Sequence, residues 1–291
     1  MEKKRKRWPR VLLWLLAAVT LGCAASVYIS YQVLTVSRYE LHNEKLTGGV
    51  RLVLLADLHN NTFGKGNRRL VEKVRREDPN LILVCGDLVN QGEEDTSVAE
   101  EALRNLTAVA PVYVSYGNHE KGHEDHFGSD FTALCARAGA TMLEREWTEL
   151  TVNDQTLRLG GIYGYCLPVA SFVPGEPWQS EADFLRELQD TEDLTVLLCH
   201  MPVTWISYGG LNRWDMDLVL CGHAHGGQVR LPWIGGLYAP DQGWFPGREA
   251  GVYLSRDGER AMVLSRGLGS SPVGVPRFNN SCEIVTVDLL P

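Results

Sequence analysis

The sequence has no Cys-x-x-Cys pair among its seven cysteines. A thiolate zinc site is therefore not indicated, and the scatter of the cysteines gives no disulfide framework. Cys85, Cys199 and Cys221 each close an apolar run, which reads as small buried hydrophobes at strand ends. No internal repeat of fixed period is present, so solenoids and propellers are not indicated. Low-complexity and collagen-like stretches are also missing. The apolar and charged fractions, 44% and 22%, are those of a folded domain. At 291 residues the chain has room for one large domain or two small ones.

Charge is missing from one long segment. Between Arg10 and Arg38 lie 27 residues without Asp, Glu, Lys or Arg, beginning VLLWLLAAVTLGCAASVYIS. A helix needs about 20 mostly apolar residues to span a bilayer. A cleaved secretion signal has an apolar core of only about 7–15 residues, so residues 11–36 read as an uncleaved transmembrane helix. Leu21-Gly22-Cys23 shows part of a lipoprotein processing pattern, which Thr20 and Leu21 fit poorly. Lys3, Lys4, Arg5, Lys6, Arg7 and Arg10 stand before the run against a single Glu2, and only Arg38 and Lys45 closely follow it. That bias predicts a cytoplasmic tail at 1–10, a single-pass anchor in the cell membrane and a body outside the cytoplasm. The tail has no twin-arginine pair to support export in the folded state.

With +5 on the first ten residues and −8 overall, the remainder carries −13. A body so acidic, with no basic stripe, has no general attraction for nucleic acid or anionic headgroups. No stable nucleic-acid complex is expected. If the body acts on phosphates, bound cations must offset its field.

From residue 50 onward, apolar runs alternate with amphipathic stretches. Strands are predicted at Arg51–Ala56, Leu81–Cys85 and Val112–Tyr116, and helices at Asn67–Glu77, Val98–Leu106 and Asp125–Gly139. This alternation implies strands covered by helices. The later part reads as short strands at Trp147–Val152, Leu157–Ile162, Val196–Cys199, Leu218–Cys221, Val252–Leu254, Met262–Ser265 and Glu283–Val287. One helix near Ser180–Leu188 interrupts them. Strands from both halves that end at one edge would place a site there.

The polar residues gather just past these runs. LLADLH puts Asp57 and His59 after the first strand, and LVCGD puts Asp87 after the second. VSYGNHE puts Asn118, His119 and Glu120 after the third, LLCHMP delivers His200, and LVLCGHAHGGQ delivers His223 and His225. Singly, each is ordinary: Gly-Asp and Gly-Asn-His occur in turns, and a lone histidine is more often packed than catalytic. Together they are not ordinary, because five of eight histidines lie at strand ends with glycines beside them. Glycine lets the backbone turn where a side chain would block an ion.

The order D-x-H, G-D, G-N-H-[DE], H, G-H-x-H resembles the calcineurin-like metallophosphoesterase superfamily over nearly all of the chain after about residue 50. GHAHGGQVRLP, YAPDQGWFP and SRGLGSS look like its membrane-anchored or exported bacterial branch. The resemblance implies an α/β fold, a four-layer α/β/β/α sandwich, occupying residues 49–291 after a linker at 37–48. It implies two divalent metal ions: Asp57, His59 and His225 on one, Asn118, His200 and His223 on the other, and Asp87 bridging. Carboxylate, imidazole and amide donors suit Mn, Fe, Zn or Co better than Ca or Mg, with Mn favoured in vitro. Two such ions about 3.5–4 Å apart clamp a phosphate and supply hydroxide as nucleophile. His119 is expected to stabilise or protonate the leaving group. Glu120, where Asp is commoner in the family, is expected to orient that ring.

The expected activity is hydrolysis of phosphate esters or pyrophosphates, on a phosphorylated small molecule or a lipid-linked substrate near the membrane. Trp205, Tyr208 and Trp214, with Trp233, Tyr238 and Trp244, stand near the motifs, either to border an apolar substrate or to pack the loops. The alternatives are a nuclease or cyclic-nucleotide phosphodiesterase of the same superfamily, and a non-catalytic scaffold held by metals.

Overall fold

The strand Val50–Leu55 shows what the rest of the fold must supply. Leu52 and Leu54 face one hydrophobic core while Val53 and Leu55 face another. A strand apolar on both faces needs a layer on each side. A computed structural model describes residues 8–164, 179–207, 209–270 and 274–291 and provides those layers. Most of the basic tail and Tyr208 lie outside the described residues.

The chain begins with helix α1 (Trp8–Gln32) and strand β1 (Leu34–His42), followed by β2 (Val50–Leu55), α2 (Arg68–Arg76), β3 (Leu81–Cys85), α3 (Ser97–Thr107) and β4 (Val112–Ser115). Then come α4 (Asn118–Phe127), α5 (Phe131–Ala138), β5 (Thr141–Leu143), β6 (Glu146–Val152), β7 (Gln155–Ile162), α6 (Gln179–Gln189), β8 (Leu194–Cys199), α7 (Val203–Ile206) and β9 (Leu218–Cys221). Two small hairpins follow, β10 (Arg230–Leu231) with β11 (Gly235–Gly236), and β12 (Tyr238–Ala239) with β13 (Gly243–Trp244). The chain closes with β14 (Gly251–Leu254), β15 (Ala261–Leu264) and β16 (Cys282–Leu290).

Two six-stranded mixed sheets result, ordered β1-β16-β2-β3-β4-β5 and β14-β15-β9-β8-β7-β6. Leu83 and Leu54 of the first sheet pack against Leu159, Val196, Leu220 and Val263 of the second. On the outer face of the first sheet lie α2, α3 and α5, through Leu70, Val74, Leu103 and Leu134. On the outer face of the second lies α6, through Ala182, Leu185 and Leu188. The order of layers is therefore helix, sheet, sheet, helix.

Two expectations are corrected. The helix read at Asp125–Gly139 is two helices: Gly128, at φ 65°, ends α4, and Asp130 caps α5 by accepting the Ala133 N–H at 2.8 Å. The stretch read as the end of the anchor and a linker contains β1, paired in parallel with β16 over nine residues from Leu34↔Cys282 to His42↔Leu290. Before it, the stretch Arg10–Gln32 of α1 is long and apolar enough to cross a membrane; its most apolar part is unburied, while Ser30 near its C-terminal end is buried against the body.

Candidate metal centre

The loops after β2 and β3 are held together by their backbones. Asp57 N–H donates to Gly86 C=O at 3.0 Å, and His59 N–H donates to Asp87 C=O at 3.0 Å. Asp57, His59, Asp87, His223 and His225 all adopt positive φ, between 47° and 68°. For residues other than glycine such conformations are uncommon, and they cluster at functional sites. Glycine permits close approach here, most plainly at Gly117 and Gly222. A Cβ on Gly117 would lie 2.2 Å from Asp87 Oδ1, and one on Gly222 would lie 2.8 Å from Asp57 Oδ2.

All seven predicted ligands converge, and the ends of five strands from both sheets deliver them. Asp57, His59 and His225 form one cluster of possible ligand atoms, and Asp87, His200 and His223 another. Asp87 stands between the two. Its Oδ1 accepts the His119 N–H at 2.8 Å at the start of α4, while its Oδ2 lies 3.5 Å from His59 Nε2 and 3.2 Å from His200 Nε2. Asp57 Oδ1 lies 3.9 Å from both His200 Nε2 and His225 Nδ1.

The inward-facing atoms fit cations. His59 Nε2, Asp87 Oδ2, Asn118 Oδ1, His200 Nε2, His223 Nδ1 and His225 Nδ1 are buried and have no hydrogen-bond partner. Unpaired buried polar atoms are costly, and here six point inward at one place. The opposite ring atoms of three histidines are satisfied. His59 Nδ1 meets Asn90 Oδ1 at 3.1 Å, His200 Nδ1 meets Cys85 C=O at 2.7 Å, and His223 Nε2 meets Asp241 Oδ2 at 3.0 Å. Such outer partners fix which nitrogen faces a metal. Asp241 and Asn90 were not singled out from sequence. Asp241 lies in the quoted YAPDQGWFP segment, which was the only available pointer.

Burial and charge act together here. Burial pushes the Asp57 carboxyl up to about 6 and the His59 imidazole down to about 3. Burial also opposes charge on His200 and Asp87, but their mutual attraction outweighs it, raising His200 and lowering Asp87.

Glu120 does not orient His119. Its carboxylate is fully buried and accepts four backbone N–H groups: Asp87 and Gly117 at 2.8 Å, Leu88 at 2.7 Å and Val89 at 3.3 Å. It ties the β3 loop to the start of α4. His119 is held instead by the Gln91 N–H, which donates to its Nδ1 at 3.1 Å. The ring therefore presents Nε2–H, 4.0 Å from Asp87 Oδ2. Burial lowers its pKa further, in keeping with a neutral ring.

A cavity of about 580 Å³ opens onto these groups. Among the described residues, Asp87, Asn118, His119, His223 and His225 line its polar end, and Val229, Leu237, Tyr238, Pro240, Trp244 and Val275 line most of the rest, with Gln228, Ser270 and Gly274 among them. Trp205 and Trp214, by contrast, are buried in the core beneath α6 and pack the fold.

A two-cation site built on these motifs agrees with the comparisons. The family model for calcineurin-like phosphoesterases matches residues 50–227, and the chain belongs to that family. It is a hydrolase acting on phosphoester bonds, of a dimetal-dependent kind. It is similar to phosphodiesterase YaeI of Escherichia coli, with 28% identity covering 82% of each chain. It is also 27% identical to putative metallophosphoesterase F40B5.2 of Caenorhabditis elegans, over 84% of this chain and 49% of that one. The present chain thus spans about half the length of that relative. Among solved structures it is similar to TT1561 of Thermus thermophilus, with a TM-score of 0.48 and 13% identity over 75% of this chain and 90% of that one.

Proposed function

We propose that the protein hydrolyses phosphate esters or pyrophosphates whose leaving or retained portion is apolar and membrane-associated. The observation that carries this reading is the cavity, polar at the metal-facing end and mostly apolar along its other walls, where Gln228 and Ser270 are the polar exceptions. Its size falls within the roughly 300–1,000 Å³ of small-molecule sites. A fully hydrated nucleotide would leave those apolar walls wet, whereas an acyl or prenyl chain would cover them.

In this reading Asp57, His59 and His225 would hold one divalent cation and Asn118, His200 and His223 the other, with Asp87 shared between them. Mn, Fe, Zn or Co suits the donors. Bound there, the pair supplies Lewis acidity and an activated water. The rest falls to the chain. A phosphoryl group at the polar end of the cavity lies within reach of His119, and His119 donates its Nε2–H to charge developing on the phosphoryl oxygens. The apolar walls exclude water from the remainder of the substrate. Helix α1 anchors the body as a single pass, with the body outside the cytoplasm. A reporter fused after Pro291 and active only in the cytoplasm would overturn that placement.

The test of substrate class compares one headgroup with and without its acyl chains. Purified full-length protein loaded with Mn is expected to give a clearly higher kcat/KM for the acylated form presented in mixed micelles. Equal values, or a preference for nucleotides and cyclic nucleotides, would overturn the lipid reading while leaving phosphoester hydrolysis intact.

A further inference from the structure

The body grips α1 well before the helix ends. Asn279 N–H donates to Ser26 Oγ at 3.0 Å, Asn280 N–H donates to Ser30 Oγ at 3.1 Å, and the Cys282 thiol donates to Ser30 C=O at 3.2 Å. At 1.5 Å per residue, Ser26 lies about 9 Å inward from Gln32. The whole stretch Arg10–Gln32 spans about 34 Å by the same measure, against about 30 Å of hydrocarbon. If α1 crosses a bilayer, the body's grip on Ser26 holds it against the bilayer surface rather than on a stalk above it.

The segment that grips α1 also carries the hairpins beside the cavity. Asn279 Nδ2 donates to Arg230 C=O at 3.1 Å, and Val229 bridges Phe278. Three residues beyond Arg230, at the tip between β10 and β11, Trp233 is 103% exposed, and Ile234 beside it is 60% exposed. Trp244 and Phe245 of the next hairpin are also exposed, as is Val275 at the cavity wall. Exposed apolar patches of this kind mark interaction sites. The body carries −13, so electrostatic attraction to anionic lipid does not hold it.

We infer that the β10–β11 and β12–β13 hairpins form an apolar rim that inserts Trp233, Ile234, Trp244 and Phe245 into the leaflet holding the C-terminal end of α1, so that the cavity opens at headgroup level. This rests on the reading of α1 as a membrane anchor. Aromatic side chains prefer the membrane–water interface, and shallow insertion of an apolar face is a recognised mode of surface attachment.

The test uses full-length protein, with Cys23 and Cys166 replaced by alanine, in phosphatidylcholine–phosphatidylglycerol vesicles with brominated acyl chains. A fluorophore is attached at Trp233→Cys, at Phe245→Cys, or at Thr151→Cys. Thr151 is an exposed residue that pairs with Thr156 at the end of β6 and β7 remote from the site. Quenching several-fold greater at 233 and 245 than at 151, and unchanged by high salt, is expected. Protein that floats with the vesicles but shows equal quenching at all three positions would overturn the rim and leave the anchor standing. Protein that does not float at all would overturn both. Protection of 233 and 245 that depends on protein concentration, without bromine quenching, would assign the patch to a second copy and overturn the bilayer contact.

Discussion

A histidine whose Nδ1 accepts a backbone N–H can offer only an N–H at Nε2, and His119 is such a ring. It is therefore arranged as a neutral hydrogen-bond donor rather than as an imidazolium acid. His119→Ala is expected to keep both metals and lose roughly 10²–10³ in kcat, the size seen for removing one donor to transition-state charge. The loss should be similar for p-nitrophenyl and alkyl leaving groups. A much larger loss for the alkyl ester would instead assign His119 to proton transfer. Loss of both metals would make it a prop. The seven ligands were legible because each sits in a short motif directly past an apolar run. Asp241 and Asn90 were not, because they reach their histidines across 18 and 31 positions through loop folding that no local spacing records.

At the scale of elements, Glu120 and β1 show how a site depends on parts that carry no chemistry. Glu120 lies in the first turn of α4, and its two oxygens collect N–H groups from both Gly117 and the β3 loop that positions Asp87. Glu120→Gln puts an amide N–H₂ where only acceptors fit. It should cost about 1–3 kcal/mol through unsatisfied donors and loosen the metals, as read by urea unfolding and elemental analysis. Unchanged stability would show that the loop holds itself. β1 was hidden because its apolar face switches. Leu34 and Val36 face the core under α2, whereas Tyr39 and Leu41 face the core between the sheets, so neither alternation runs long enough to announce a strand. A chain starting at Leu34 keeps this strand, and one starting at Glu44 leaves β16 with an open edge. The shorter chain is expected to melt more than about 5 °C lower, at roughly 2–4 °C per kcal/mol for a domain this size. Equal melting temperatures would reduce β1 to a tether.

At the scale of the whole molecule, the site exists only because two sheets meet. Asp57, Asp87 and Asn118 follow strands of the first sheet, and His200, His223 and His225 follow strands of the second. The alternation of helix and strand was readable from sequence. The return of β16, the end of the chain, into the first sheet between β1 and β2 was not, because pairing over more than 230 positions leaves no local mark. The central claim is that these two halves together hold two cations sharing Asp87. Its most direct test is the metal content of full-length protein saturated with Mn and freed of excess, beside that of Asp87→Ala. Two ions per chain are predicted for the native protein, with metal content and phosphodiesterase activity falling together in the variant. One ion or none in the native protein, or two ions and full activity in Asp87→Ala, would contradict it.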